Sequence, residues 1–206
     1  VVDPVFSATA SKADTWIRLK AGTDAAFALG VANVVVREKL HRPEFLRRYT
    51  DAPLLVRTDT GKRLREADLR KAGANDRFVV WDEETDGPVT VGIDRLGMPE
   101  GVTAALEGTF QVRLADGEIA EARPGFAFVA DEIARWTPDV ASEATGVDAG
   151  MIEKVARAYA TEEPAAILMG GGSNHWYHGD LTGRAYALLA VLTGNVGRSG
   201  GGFSVY

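Results

Sequence analysis

The stretch "AAILMGGGSNHWYHGD", residues 165–180, joins a short apolar run to three glycines and a polar loop. Pro164 breaks the helical pattern before it, so the segment "AAILMG", residues 165–170, is predicted to form a short buried strand. The mostly apolar segment "TGRAYALLAVLTG", residues 182–194, is predicted to form the helix that follows the loop. A strand, a glycine loop and a helix in this order are typical of a parallel α/β core.

The beginning of the chain shows the same order of strand, loop and helix. The segment "VVDP", residues 1–4, is predicted to end a buried strand, because Pro4 cannot continue a central ladder. A helix is predicted to begin after Thr23 as N-cap, with Asp24 in its first turn, and to run to Leu40. We therefore predict an α/β fold with a Rossmann-like core of parallel strands and helices on both faces.

The middle of the chain has the sequence pattern of short strands and turns rather than of helices. The segment "GTFQVRLADGEIAEARPG", residues 108–125, is predicted to form two strands joined at Asp116-Gly117, a dipeptide that favours hairpins. The acidic residues 82–86, "DEETD", are predicted to be an exposed turn. Residues 52–123 are therefore predicted to be a small antiparallel β insertion within one domain that spans residues 1–206.

Composition excludes several classes of site. The 206 residues carry a formal net charge of −6, which disfavours nonspecific binding to nucleic acid. They contain no cysteine, so these residues supply no disulfide, thiolate nucleophile, zinc–thiolate site or iron–sulfur ligand. The first and last residues read as interrupted strands, and we expect an internal fragment of a larger subunit.

Polar residues follow both predicted strand ends, and ligands of open parallel sheets bind outside the carboxyl ends of the strands. Glycine lets backbone N–H groups approach a pyrophosphate. Asp3 could accept hydrogen bonds from ribose or guanine, and Asp24 could pair with the N1–H and 2-amino groups of a guanine. The alternatives are an ordinary helix start at Thr23-Asp24 and a plain turn at Asp3-Pro4. The "GGGS" segment also lacks the spaced glycines of the dinucleotide fingerprint.

The histidines allow two interpretations. If the segment "NHWYH" were helical, His175 and His178 would share one face and could bind a metal. Two histidines without cysteine or a clear carboxylate partner make a poor zinc site, and hydrogen bonding to a ligand or a loop is the favoured interpretation. The strained nucleophile elbow of a Ser–His–Asp hydrolase is not present. Trp176 and Tyr177 are predicted to pack as core or lid.

Three motifs together resemble the molybdopterin oxidoreductase family, the dimethyl sulfoxide reductase superfamily. They are "AGTDAAFALG" (21–30), "GGGSNHWYHGD" (170–180) and "ALLAVLTGNVGRSGGGF" (187–203). The segments "NHWYH" and "RRYTDAPLLVRTDTGK" are most similar to the respiratory nitrate reductase branch. That branch includes chlorate, perchlorate and selenate reductases and the ethylbenzene and dimethyl sulfide dehydrogenases.

The resemblance implies a catalytic subunit that holds molybdenum or tungsten between two molybdopterin guanine dinucleotides. Such subunits transfer an oxygen atom or a hydroxyl group, coupled to two electrons. The residues that match the cofactor-binding motifs of the family are Asp3, Pro4, Ser7, Gly22, Thr23, Asp24, Gly171, Gly172, Ser173, Asn174 and His175.

The resemblance also says which parts of such an enzyme lie elsewhere. The metal ligand and a 4Fe–4S cluster are expected upstream, and the residues that complete the second dinucleotide site are expected downstream. We assign no catalytic residue and no metal ligand here. The implied partners are the rest of the catalytic subunit, an iron–sulfur electron-transfer subunit and a membrane anchor or haem subunit. They imply a membrane-associated complex of anaerobic respiration, on either side of the membrane. The alternatives are a cofactor-less structural homologue in a respiratory complex and a generic nucleotide-binding module.

Overall fold

The computed structural model describes residues 1–92 and 98–205, which form an α/β fold of two compact units. Unit 1 combines Val1–Arg42 with the residues from Glu132 onward, and unit 2 is Pro43–Asp131. The helices are α1 (Asp24–Arg37), α2 (Pro43–Tyr49), α3 (Glu66–Leu69), α4 (Gly125–Ala134), α5 (Pro138–Thr145), α6 (Ala149–Thr161) and α7 (Gly179–Leu192). The strands are β1 (Leu55–Arg57), β2 (Arg77–Asp82), β3 (Gly87–Gly92), β4 (Phe110–Arg113), β5 (Ile119–Pro124), β6 (Ala166–Met169) and β7 (Gly202–Val205).

Helix α1 is the centre of unit 1 and packs against α5, α6 and α7. Its apolar residues recur at helical spacing, and Phe27, Val31 and Val34 are all buried. Gly30 brings α1 close to α5, because a Cβ at this position would lie 2.5 Å from Cβ of Ala141. The helix ends at Arg37, three residues before the predicted end.

Both ends of α5 and the start of α6 are fixed by local capping residues. Thr137 Oγ1 accepts a hydrogen bond from Val140 N at 3.3 Å, and Gly146 ends α5 with φ +76°. Asp148 accepts one from Met151 N at 3.1 Å at the start of α6. The start of α1 differs, because Thr23 occupies the N-cap position but makes no side-chain capping bond.

Parallel pairing is limited to unit 1. Strands β6 and β7 form a two-stranded parallel sheet, and Val2 and Ile17 form an isolated parallel bridge. The α/β class is confirmed, but the Rossmann-like parallel core with helices on both faces is not. The other strand pairs among the described residues are antiparallel, and Leu168 of β6 is 83% exposed. A parallel strand covered on both faces would bury such a residue.

Unit 2 contains the five antiparallel strands, in a β1–β5–β4 sheet and a β2–β3 hairpin. Strands β4 and β5 are joined through Asp116 and Gly117, as predicted, and Gly117 has φ +95°. Trp81 stacks on Phe110 at 4.5 Å between ring centroids and links the hairpin to the sheet. The predicted insertion, residues 52–123, lies within this unit, and its residues 93–97 are outside the described part of the chain.

Asp82 corrects the prediction that residues 82–86 are an exposed turn. Its side chain is only 1% exposed. It accepts hydrogen bonds from Thr85 Oγ1 at 2.6 Å and from the backbone N of Thr103 at 2.9 Å. These bonds hold the pKa of the Asp82 carboxyl below its ordinary value. The carboxylate organises the turn from inside, while Glu83 and Glu84 remain exposed.

None of the helices in the described ranges has both the length and the apolar character that crossing a bilayer requires.

Candidate functional site

Two of the predicted loops line one cavity of about 540 Å³ in unit 1. Asp3 and Pro4 contribute from the beginning of the chain, and Gly172 and Ser173 contribute from the loop after β6. Tyr186 of α7 lies in the same wall. The structure therefore brings together residues that the sequence separates by almost the whole chain.

The loop that precedes α1 joins them through a close contact between Gly22 and Trp176. Gly22 has φ +80°, and a Cβ there would lie 2.9 Å from Cδ2 of Trp176. The glycine is therefore required both by its backbone conformation and by the indole against it. Trp176 is nevertheless 54% exposed and Tyr177 is 90% exposed, so of the two predicted roles, core or lid, the structure excludes core and leaves the lid as a prediction.

Asp24 begins α1 with a half-buried carboxyl. Burial raises the pKa of this carboxyl, and the negative charge of Asp3 acts in the same direction, while hydrogen bonding by the backbone and Tyr186 opposes them. Burial and the nearby Asp24 also raise the pKa of the Tyr186 phenol, which therefore remains a hydrogen-bond donor. The two carboxyls and the phenol thus form one electrostatic group.

Asp3 and Ser7 hold the first loop in shape. Asp3 Oδ1 accepts a hydrogen bond from Val5 N at 2.8 Å, which is the turn expected of an Asp-Pro segment. Ser7 Oγ accepts one from Ala10 N at 3.2 Å and supports the short 3-10 helix Ala10–Lys12. The second carboxylate oxygen of Asp3 accepts no hydrogen bond within the described chain.

Thr23 uses its side chain in the second loop. Its hydroxyl donates to the carbonyl oxygen of Lys20 at 2.6 Å, within the turn that leads into α1. The structure therefore gives Thr23 a local role before any ligand is considered.

Neither backbone conformation nor close packing requires glycine at the three glycines that follow β6. Gly170, Gly171 and Gly172 do not have positive φ, and a Cβ on any of them would meet no atom within 4 Å. Ser173 donates its hydroxyl to the Gly170 carbonyl at 3.1 Å. Residues 171–174 form turns, but no N–H group of residues 172–175 donates a backbone hydrogen bond of good geometry within the described chain. The loop therefore presents bare backbone and free donors to open space.

The histidines do not share a helix face. Residues 171–177 form turns, and α7 begins only at Gly179. His178 has φ +58°, and its ring contacts that of Tyr177 at 4.0 Å between centroids with an interplanar angle of 55°. Asn174 and His175 are exposed. In the parts of the chain that the structure describes, no cluster of three or more His, Cys, Asp or Glu could hold a metal ion.

Sequence reasoning missed two residues that shape this region. Tyr186 is the one phenol within the apolar α7 segment, and that isolated polar group was a usable signal. Asn195 is fully buried, and its Oδ1 accepts from Ala165 N at 3.0 Å while its Nδ2 donates to Thr193 Oγ1 at 2.8 Å. It fixes the entry to β6, and nothing in the segment "TGNVGRSGGGF" distinguished it from a flexible connector.

The chain is similar over its whole length to subunits of several reductases and dehydrogenases. It is 39% identical to the perchlorate reductase subunit alpha of Dechloromonas aromatica, and the match spans 100% of this chain and 25% of that protein. It is 36% identical to the respiratory nitrate reductase subunit alpha of Haloferax mediterranei, over 98% of this chain and 22% of that protein. The chain thus spans about a quarter of the length of these curated relatives.

A solved structure supports the fold. Acetylene hydratase from Pelobacter acetylenicus superposes with a TM-score of 0.57 at 22% identity, over 97% of this chain and 18% of that one. The sequence model of the molybdopterin oxidoreductase family matches residues 1–206. Because this model matches the whole chain, and two relatives named as alpha subunits of reductases are more than 30% identical to it, the chain belongs to the molybdopterin oxidoreductase family.

Proposed function

We propose that these residues bind the guanine dinucleotide part of a molybdenum bis(molybdopterin guanine dinucleotide) cofactor in a nitrate reductase-like catalytic subunit. The subunit would transfer an oxygen atom or a hydroxyl group, coupled to two electrons. Its partners would be an iron–sulfur electron-transfer subunit and a membrane anchor or haem subunit. The 4Fe–4S cluster and the metal ligand would come from the rest of the same subunit.

The glycine loop is the observation that carries this proposal. Three consecutive glycines with negative φ and open space at every Cβ position serve no purpose in the chain itself. They leave room for a ligand to approach the backbone, and the N–H groups of residues 172–175, which lack internal hydrogen bonds of good geometry, are suited to phosphate oxygens. Gly171, Gly172, Ser173, Asn174 and His175 would form this side of the site.

Asp24 would recognise the base. A carboxylate is a poor neighbour for a phosphate, but it is a good acceptor for the two adjacent N–H donors of a guanine edge. Its half-burial next to Tyr186 strengthens such hydrogen bonds, because fewer waters compete for the oxygens. Gly22 and Thr23 would set the backbone that presents it.

Asp3, Pro4 and Ser7 would complete the cradle at the end of the first strand. Asp3 lines the cavity, and its second carboxylate oxygen could accept a hydrogen bond from a ribose hydroxyl, while the bond from Val5 N holds the side chain in place. The bound molybdenum centre would supply the two-electron redox chemistry. The residues of this chain would bind the dinucleotide, orient it and exclude water from its base.

The proposed domain spans residues 1–206, with residues 52–123 as a β-rich insertion. Its parallel sheet would become Rossmann-like in the whole subunit, where further strands and helices would cover the exposed residues of β6.

The substitution Asp24→Asn in the full-length subunit tests the proposal. The amide keeps the shape of the carboxyl but replaces one acceptor with a donor that faces guanine donors. Loss of a charge-assisted pair of this kind weakens binding by roughly 10- to 100-fold. Molybdenum content and GMP released by acid hydrolysis would therefore both fall in the purified variant.

The matched control is Asp139→Asn, which changes an exposed first-turn carboxylate of α5 in the same unit. It should leave both quantities at wild-type levels. Full molybdenum and GMP content in Asp24→Asn would contradict the role of Asp24. A wild-type subunit without molybdenum would identify a cofactor-less homologue, and stabilisation by NAD but not by guanine nucleotides would identify a generic nucleotide module.

A further inference from the structure

Unit 2 contains a cavity of about 550 Å³ with a strongly basic lining, which we call the basic pocket. Four cationic side chains and one carboxylate line it; these residues are Arg57, Lys62, Arg63, Arg65 and Asp68. The chain as a whole has a formal net charge of −6, so the charge of this pocket is opposite to that of the chain. A concave surface lined by one sign of charge focuses its field and attracts ligands of the opposite sign.

A tight hairpin brings these cations together. Arg57 N donates to Lys62 O at 2.9 Å, so the chain turns back and pairs with β1. Leu64 N then donates to Leu55 O at 2.8 Å. Gly61 has φ +66°, a conformation that glycine adopts without strain, in the turn between the two segments. Because Leu55 and Leu64 are fully buried, the backbone beneath the charged side chains is anchored in the core of unit 2.

Two of the four cations are already paired inside unit 2. The guanidinium of Arg57 donates to both carboxylate oxygens of Asp59, at 3.0 and 2.6 Å. Arg63 forms an ion pair with Asp51. Carboxylates are therefore the groups that these guanidinium groups bind within the chain itself, and neither arginine needs a further ligand.

Lys62 and Arg65 are the two lining cations that have no carboxylate partner. The Lys62 ammonium makes no hydrogen bond or ion pair within the part of the chain that the structure describes. The Arg65 guanidinium donates to the Asn75 carbonyl and lies over the Phe78 ring at 5.0 Å. Asp68 accepts from the backbone N of Arg65 at 2.8 Å rather than from its guanidinium. A guanidinium held on an aromatic ring without a carboxylate is pre-organised to bind an anion.

The spacing of these two cations favours an acidic polypeptide over a small anion. Lys62 and Arg65 are three residues apart in an extended segment, so their Cα atoms are about 10 Å apart. An extended acidic segment can present one carboxylate to each of them. A single phosphate or carboxylate that binds one of them would leave the other without a partner.

We propose that the basic pocket docks an acidic, extended segment of a partner subunit of the same complex. One carboxylate of that segment pairs with Lys62, and another pairs with the guanidinium of Arg65. The proposal rests on the multi-subunit assembly given under Proposed function. It does not depend on the dinucleotide, because the basic pocket belongs to unit 2 and the proposed dinucleotide residues belong to unit 1.

Site-specific photocrosslinking in the purified complex of full-length subunits tests the contact. Thr60 is an exposed residue of the pocket lining, and p-benzoylphenylalanine in its place leaves both Lys62 and Arg65 intact. This probe should crosslink to a partner subunit, within a segment that carries several Asp or Glu residues, as located by mass spectrometry. The same probe in place of Lys71, an exposed residue of unit 2 outside the pocket lining, is the control and should not crosslink to that segment.

Three results of this experiment would overturn the proposal. They are a crosslink from position 60 to a partner segment without acidic residues, crosslinks within the same subunit only, and no crosslink at all.

Charge reversal gives an independent measurement of the same contact. Lys62→Glu should raise the Kd between the subunits by about tenfold at low salt, because a carboxylate would then face a carboxylate. The difference should shrink in about 0.5 M NaCl, where salt screens the charges. Lys71→Glu makes the same change in net charge outside the pocket and should keep the wild-type Kd. Equal Kd values for the two variants would refute the docking site.

A small-anion site would give a different result. Inorganic phosphate would then raise the apparent Tm of the free subunit, Lys62→Glu would abolish that rise, and the Kd between the subunits would not change. This outcome would also overturn the docking of an acidic segment. Molybdenum content should stay at the wild-type level in Lys62→Glu and Lys71→Glu, so a failure of this proposal is distinguishable from a failure of the dinucleotide site.

Discussion

The carboxyl of Asp24 is placed where ionisation costs stability. Its pKa lies above the ordinary value of 3.8, chiefly because the group is half-buried, and the charge of Asp3 adds to the shift. The folded chain therefore holds this proton more tightly than the unfolded chain does. The contribution of this group to stability falls as the pH rises from about 3.8 through the raised pKa, and the loss is complete above that pKa.

Asp24→Asn should consequently stabilise the cofactor-free subunit at pH 7. We expect a rise in apparent Tm of about 1–2 °C, because solvent screening keeps the contribution of a half-exposed charge below about 1 kcal/mol. The gain should shrink as the pH falls below the ordinary pKa of 3.8, to about pH 3, where wild-type Asp24 is protonated in both states. Thermal melts at the two pH values provide the measurement. An unchanged or lower Tm at pH 7 would mean that the charge is already compensated in the free site.

Asp24→Asn would then weaken cofactor binding and stabilise the cofactor-free subunit. A residue kept for folding alone would not show this opposition. It is the pattern expected where a site is arranged for a ligand at the expense of the protein around it.

Packing between helices is set by small residues in unit 1. Gly30 lets α1 approach α5, since a Cβ there would lie 2.5 Å from Ala141. Gly183 of α7 is different, because its Cβ would meet only Cε of Met169 at 3.7 Å, an ordinary contact. Alanine would therefore clash with α5 at Gly30 but would fit without a clash at Gly183.

Gly30→Ala should destabilise the subunit, and Gly183→Ala should stabilise it. Alanine gains about 0.5–1 kcal/mol over glycine inside a helix. At Gly30 this gain is outweighed by an overpacking cost of about 1–3 kcal/mol, while at Gly183 no such cost arises. Chemical denaturation of the full-length subunit measures both. Equal stabilisation by the two variants would show that α1 and α5 can separate without loss.

At the scale of the whole molecule, the features that could be predicted from the sequence are those that depend only on neighbouring residues. Thr137, Gly146 and Asp148 are capping residue types that act on residues within one turn of themselves, so the sequence indicates both ends of α5 and the start of α6. The hairpin at Asp116-Gly117 is equally local. Such features need no knowledge of the rest of the chain.

Features that depend on distant partners could not be predicted. Asp82 is buried because Thr103 closes over it from beyond β3, and the acidic run gave no sign of that. Trp176 lies on Gly22 rather than in a core, because the chain folds back over the loop before α1. The Rossmann-like sheet was expected from strand order, yet only β6, β7 and one bridge are parallel among the described residues. The sequence motifs located the candidate site. They did not predict the hydrogen bond between Asp24 and Tyr186, which affects the pKa of both groups.

The molecule also contains carboxyls with shifts of opposite sign in its two units. Asp24 in unit 1 has a raised pKa, whereas Asp82 and Glu66 in unit 2 have lowered ones. The carboxyl of Asp82 is hydrogen-bonded by Thr85 and Thr103, and that of Glu66 by the backbone of Ala74. A lowered pKa stabilises the fold above the ordinary value and loses that effect as the pH falls through the folded-state pKa.

Asp82→Asn should therefore weaken the β2–β3 hairpin at pH 7. The amide nitrogen cannot accept the bonds from Thr85 or Thr103, so a buried donor would be left without its partner. We expect peptides covering β2 and β3 in the full-length subunit to exchange hydrogen faster than wild type at pH 7. The difference should disappear once the pH falls below the folded-state pKa of Asp82, where wild type has lost the same charge. Asp76→Asn, on an exposed residue just before β2, is the control and should match wild type at every pH. Equal protection of Asp82→Asn and wild type at pH 7 would show that the hairpin does not depend on this carboxylate.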